Sequence, residues 1–176
     1  GIGLAFALNY IDDTIKTPDD IKTKLGLAVL GVVPMEKGKT NIAALLRDPR
    51  SSISEAFSSA RTALNFSTSH GAPRSILITG IRPGEGKTSS ALSMAVAFAN
   101  TGVRVLIVDA DLRRPSFAAP PGSSIGLSGY LTQDVPLREH VVPGAFPNVF
   151  LLPAGVIPPN PAELLSTSRM TYLLKE

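Results

Sequence analysis

The chain has 176 residues, of which 44% are hydrophobic and 18% charged, with a formal net charge of +3. That is enough apolar material for one domain with a real core plus an extension, and it excludes a disordered chain. The absence of cysteine excludes disulfides, thiolate metal sites and cysteine nucleophiles, and so small a charge without a basic, aromatic-studded stripe argues against a nucleic-acid partner.

In chain order, Gly1 to Tyr10 is apolar-rich but short of the roughly 20 residues that span a bilayer. It lacks the basic leader and cleavage site of a signal peptide. Composition leaves two readings level: a buried helix, or the closing half of a membrane helix with Tyr10 at the interface. Thr17-Pro18-Asp19-Asp20 is a helix start, with Thr17 as cap, Pro18 in the first position and two acids facing the positive end of the dipole. Gly26 is placed to end that helix. Leu27 to Val33, closed by Pro34, reads as a strand, and residues 35–50, polar and mixed, read as a linker.

Ser52 and Glu55 have capping-box spacing and open a helix to about Phe66, with Ile53, Phe57, Ala60 and Leu64 on one face. Ser67 to Arg74 is a loop. Ser75 to Thr79 reads as a short buried strand, Gly80 to Gly86 as a loop, and Lys87 to Asn100 as a helix apolar on nearly every side, ended by Gly102. Arg104 to Asp109 is a second buried strand, expected to run parallel to the first in a right-handed unit. Gly126 to Thr132 is a short helix or turn, Val149 to Leu152 a strand, and Asn160-Pro161-Ala162-Glu163 opens a last helix towards Glu176. His70 and His140 read as loop or surface residues. The expected fold class is α/β, a P-loop NTPase-like parallel sheet flanked by helices, truncated at the C-terminus.

The chemistry concentrates in two places. Pro83-Gly84-Glu85-Gly86-Lys87-Thr88 lies between a strand and an apolar helix, where glycines let backbone N–H groups close on a polyphosphate and the helix aims its positive end at it. The nucleotide-binding residues are therefore Pro83, Gly84, Glu85, Gly86, Lys87, Thr88 and Ser89, with Lys87 reaching the β- and γ-phosphates and the Thr88 hydroxyl on Mg²⁺. The general pattern G-x-x-x-x-G-K-[ST] has glycine where this chain has Ile81, so the loop is a variant. The second strand carries Asp109 and Asp111 at its carboxyl end, where open α/β sheets bind ligands. Two apart on an extended segment, they point to one side and suit Mg²⁺, or one of them serves as a base. Arg113 and Arg114 follow and can pair with these acids or with phosphate.

From these residues outward the chain resembles the bacterial tyrosine kinases, the P-loop autokinases that regulate capsule and exopolysaccharide export. Thr79 to Thr88 is similar to the family's variant Walker A loop, which accounts for Ile81, and Val105 to Arg113 to its hydrophobic D-x-D-x-R Walker A′ motif. Tyr10 to Lys16 with Pro18, Leu25-Gly26-Leu27 and Val29 to Pro34 resemble the segment after the second membrane helix, and Pro153-Ala154-Gly155 and Pro158 to Leu165 resemble a family signature stretch. Glu55, with Arg61, resembles the family's E-x-x-R-x-x-R helix of ring contacts, with Ser58 in place of the middle arginine.

The resemblance implies a membrane-helix end at residues 1–10, a juxtamembrane segment and linker at 11–50, and the N-terminal part of a P-loop kinase domain at 51–176. It implies ATP and Mg²⁺ as cofactors, with Lys87, Asp109 and Asp111 catalytic and Thr88, Asp109 and Asp111 on the metal. It implies a ring-like homo-oligomer at the bacterial inner membrane, this segment on the cytoplasmic side, serving the polysaccharide export machinery and phosphorylating the tyrosine-rich tail of a neighbouring subunit. The Walker B strand and the tyrosine cluster would lie beyond residue 176. Tyr10, Tyr130 and Tyr172 read as structural rather than as acceptors. Two rivals stand beside this reading. A partition-type ATPase would carry an extra lysine early in the loop, where Arg82 and Pro83 stand; a non-catalytic co-polymerase module would use nucleotide only to control assembly.

Overall fold

The computed structural model describes residues 15, 17–35, 41–117, 119 and 125–175. The Gly1–Tyr10 segment and residues 36–40 of the expected linker lie outside these. Among the described residues no helix is long and apolar enough to cross a membrane.

Helix α1 (Pro18–Leu25) begins as its sequence requires: Thr17 accepts from the Asp20 amide, Asp20 accepts from the Thr17 amide, and Gly26 closes the helix at φ 65°. None of its residues is buried. The apolar run after it is not a strand. Residues 27–35 are exposed and have no ladder partner among the described residues, although Gly31 lies against Ala56 and Ala60 of the neighbouring helix. An apolar run becomes a strand only when an edge is there to pair with it.

The segment read as a linker contains a helix, α2 (Ile42–Arg47), capped by the Asn41 side chain on the Ala43 amide. Its Leu46 is buried in the main core. Helix α3 (Ser52–Phe66) has the expected buried face of Ile53, Phe57, Ala60 and Leu64, but its cap is one residue earlier than the Ser52–Glu55 spacing implies. Ser51 accepts from the Ser54 amide, and its hydroxyl donates to the Leu45 carbonyl, tying α2 to α3.

Helix α4 (Lys87–Ala99) packs Ala95, Val96 and Ala99 into the same core as α2 and α3. Strand β1 (Val105–Val108) follows, then α5 (Leu127–Thr132), a single 3₁₀ turn (Leu137–Glu139), β2 (Val142–Pro143) and β3 (Val149–Leu152). The sheet order is β1-β3-β2: β1 and β3 are parallel, with Val105 opposite Val149 and Val108 opposite Leu152, while β2 runs antiparallel to β3. The sheet is thus mixed, not purely parallel. Alternation divides its faces, as pleating demands: Val105, Ile107, Val149 and Leu151 join the α2–α3–α4 core, and Val108 and Leu152 join a second cluster with Leu112, Leu127, Tyr130 and Leu131.

Residues 75–79 form no ladder, so the expected parallel pair with β1 is absent and β3 is β1's partner instead. Leu77 is 87% exposed, which no buried strand would allow. The C-terminal helix is two short ones, α6 (Pro161–Leu165) and α7 (Ser168–Leu173), divided where Thr167 becomes a new cap position. His140 is 2% exposed and accepts the Gly126 N–H at Nδ1, edge-on to Tyr130, so it is a core residue and not a surface one.

Candidate nucleotide site

The phosphate loop is shaped by glycine at three points. Gly84 and Gly86 sit at φ 83° and 81°, the left-handed region that side chains avoid. At Gly80 a Cβ would come within 2.6 Å of a Glu85 carboxylate oxygen and 3.2 Å of the Lys87 side chain, so a larger residue there would have to push these two flexible side chains aside. Glu85 accepts the Ile81 N–H at 2.8 Å, and the Lys87 ammonium donates to the Arg82 carbonyl at 3.2 Å. Both bonds run across the loop and hold it in a compact turn.

Helix α4 then begins at Gly86 with no side-chain cap. The first backbone N–H groups of a helix have no partner within it, so an uncapped start presents donors and the positive end of the dipole to an anion. Pro83, Gly84 and Glu85 are exposed, as is Ser89 in the first turn, whereas Lys87 and Thr88 are half-buried.

On the facing side, β1 delivers Asp109, 7% exposed. Its Oδ2 accepts from the backbone amides of Ser116 and Phe117 at 2.7 and 2.8 Å, and its Oδ1 from the Asp111 amide at 3.2 Å. A buried carboxylate needs such donors to replace its lost water. Asp111 is exposed and accepts from the Arg113 and Arg114 amides through Oδ1. Among the described residues, neither arginine side chain pairs with these acids.

Loop and acids meet at one point. The Thr88 hydroxyl lies 2.7 Å from that of Ser116, whose amide is held by Asp109. Thr88 and Asp109 are thereby linked through a single residue, while no side-chain bond joins Asp111 to the loop among the described residues. Ser116 and Phe117 were not singled out by the sequence; a hydroxyl shortly after a D-x-D turn was the available signal.

No group of three or more His, Cys, Asp and Glu side chains converges among the described residues. The donor set of one hydroxyl and two carboxylates, partly open to water, still fits Mg²⁺, which takes only oxygen and commonly uses one or two carboxylates. Glu55 and Ser58 are exposed on α3, but Arg61 is half-buried and donates to the Ala97 carbonyl at 3.3 Å, near the C-terminus of α4. Tyr130 is buried in the second cluster and Tyr172 is 60% exposed. A groove of about 440 Å³ between α5 and α7, lined by Tyr130, Asp134, Arg169 and Tyr172 among others, includes none of the loop residues.

Residues 76–159 match the CobQ/CobB/MinD/ParA nucleotide binding domain family. The kinase domain of the BceF tyrosine kinase superposes with a TM-score of 0.76 at 31% identity, over 92% of this chain and 71% of that one. This chain belongs to the bacterial tyrosine-kinase family. The kinase domain of the Escherichia coli tyrosine kinase ETK aligns with a TM-score of 0.73 at 26% identity, covering 92% of this chain and 68% of its own. The tyrosine-protein kinase YwqD of Bacillus subtilis is 37% identical over 133 residues, 74% of this chain. The chain spans 56% of YwqD's length. The P-loop NTPase-like α/β fold expected from the sequence is the fold of these domains, and the family is a nucleotide-binding one.

Proposed function

We propose that this chain is the nucleotide-binding part of an ATP-dependent protein tyrosine autokinase that regulates capsule or exopolysaccharide export. The observation that carries the reading is the meeting of the two half-sites: the Thr88 hydroxyl is one serine away from the buried Asp109 carboxylate. A polyphosphate on the loop would therefore lie beside the acids, which is the arrangement phosphoryl transfer requires.

In this reading the open start of α4 and the glycine turn bind the phosphates through backbone N–H groups. Lys87 leaves the Arg82 carbonyl for the β- and γ-phosphates, where its charge offsets that building on the transferred group. Thr88 and Asp109 hold Mg²⁺, which when bound neutralises phosphate charge. A tyrosine oxygen of a neighbouring subunit attacks the γ-phosphorus, the bond to the bridging β–γ oxygen breaks, and ADP leaves. Asp111 accepts the phenolic proton, because it is exposed and one of its oxygens takes no described bond, whereas Asp109 is buried. The whole protein assembles as a ring at the inner membrane, with Glu55 at a subunit contact. Arg61 contributes by bracing α3 against α4 rather than by reaching a neighbour directly.

The test is incubation of the full-length protein with γ-labelled ATP and Mg²⁺, followed by phosphotyrosine detection. Wild type labels itself and Lys87→Met does not. Equal labelling of the two would remove the kinase reading. Nucleotide-dependent assembly without any phosphotyrosine would transfer the site to a non-catalytic co-polymerase module.

A further inference from the structure

Ser116 is held in place from below. Its amide and that of Phe117 both donate to Asp109 Oδ2, and Phe117 packs against the main core. With the backbone clamped to a buried acid, the Ser116 hydroxyl stands 2.7 Å from the Thr88 hydroxyl, joining residues 28 apart in sequence.

A hydroxyl has one hydrogen and two lone pairs. To ligate a hard cation Thr88 must turn a lone pair outward, and its hydrogen must then go to another acceptor. Ser116 Oγ is an acceptor at hydrogen-bond distance. We infer that Ser116 is a positioning residue: it takes the Thr88 hydroxyl hydrogen and so orients Thr88 towards the divalent cation that accompanies the nucleotide. The inference rests on the nucleotide–Mg²⁺ reading of the loop and adds to it a residue outside both sequence motifs. Ser116 touches neither nucleotide nor reacting atoms in this role; it acts through Thr88.

The prediction concerns binding rather than turnover. The affinity of the full-length protein for a fluorescent ADP is measured in EDTA and again with Mg²⁺, for wild type, Ser116→Ala and Ser116→Thr. Ser116 is exposed, so its truncation leaves the core intact. Wild type binds more tightly with Mg²⁺. Ser116→Ala keeps the affinity measured in EDTA but loses about tenfold of the Mg²⁺-dependent gain, on the order of one hydrogen bond. Ser116→Thr, which restores a hydroxyl, recovers most of that gain. If Ser116→Ala retains the full gain, the inference falls while the nucleotide–Mg²⁺ reading stands. If its affinity drops equally with and without Mg²⁺, Ser116 shapes the loop generally and the inference also falls. A wild type with no Mg²⁺-dependent gain would remove both the cation reading and this residue's place in it.

Discussion

The two sides of the site are built on opposite principles. Asp109 leaves β1 with its carboxylate buried, pinned by three backbone amides and backed by a strand whose ladder to β3 runs from Val105 to Val108. The phosphate loop follows residues 75–79, which have no ladder, and is held chiefly by two bonds across itself, Glu85 to Ile81 and Lys87 to Arg82. A carboxylate must be fixed before a cation arrives, because burying it unpaired is costly. A phosphate cradle must keep its donors open, because the ligand itself supplies the acceptors. The acid side is therefore ordered by packing and the loop side by local geometry, and substitutions on the two sides should separate stability from binding.

The largest stability effect should come from Gly126→Ala, beside the end of β3. Gly126 has φ 132°, and a Cβ there would lie 2.5 Å from the Gly155 nitrogen and 2.6 Å from the Pro153 carbonyl oxygen. These are backbone atoms tied to α5 by the Leu127 and Ser128 amides, so neither can yield. Strained conformation and overlap together should cost about 3 kcal/mol or more; urea unfolding that finds less than about 1 kcal/mol would contradict this fit.

Asp109→Ala should come next, because it leaves the Ser116 and Phe117 amides without their acceptor and frees the turn after β1. A loss of about 2 kcal/mol is expected from the unsatisfied donors, and protection of those two amides from hydrogen exchange should fall with it. Unchanged exchange there would mean that the acid is not what orders the turn. Ser51→Ala, on the core side but far from the acids, should cost about 1 kcal/mol through the lost cap on α3, with unfolding as the measurement; Ser51→Thr should recover most of it.

How far the sequence could be read follows the same division. Helix α3 carried its own periodicity, helix α4 and strands β1 and β3 were marked by continuous apolar runs, and each packs into a core that the described residues complete. Runs 27–33 and 75–79 carried equally good strand composition, but a strand also needs an edge, and edge availability is not written in a local window. Helix α2 was hidden by its charged surroundings, although Asn41 ahead of Ile42, Leu45 and Leu46 was a readable cap and apolar stripe. His140 was misread because its burial depends on the distant Gly126 and Tyr130. At the site, the loop and the two aspartates were legible as motifs. Ser116, the residue joining them, was not, because its part depends on a hydrogen bond between segments 28 residues apart.

The smallest stability effect, and the sharpest separation of the two sides, should come from Glu85→Gln. The amide oxygen of glutamine can still accept the Ile81 N–H, so the turn at Gly80 keeps its bond. What disappears is one negative charge at the rim of a site for a polyanion. Stability should move by less than about 0.5 kcal/mol, as for exposed substitutions generally. In a water-like dielectric a nearby unit of phosphate charge repels the carboxylate by about 1 kcal/mol or less, so nucleotide affinity should rise a few-fold. Because an exposed charge is screened, the gain should shrink as ionic strength increases. An affinity that falls in Glu85→Gln would mean that the carboxylate orders the loop more strongly than its charge opposes the ligand, and the loop side would then be pre-built like the acid side instead of being left open for what it binds.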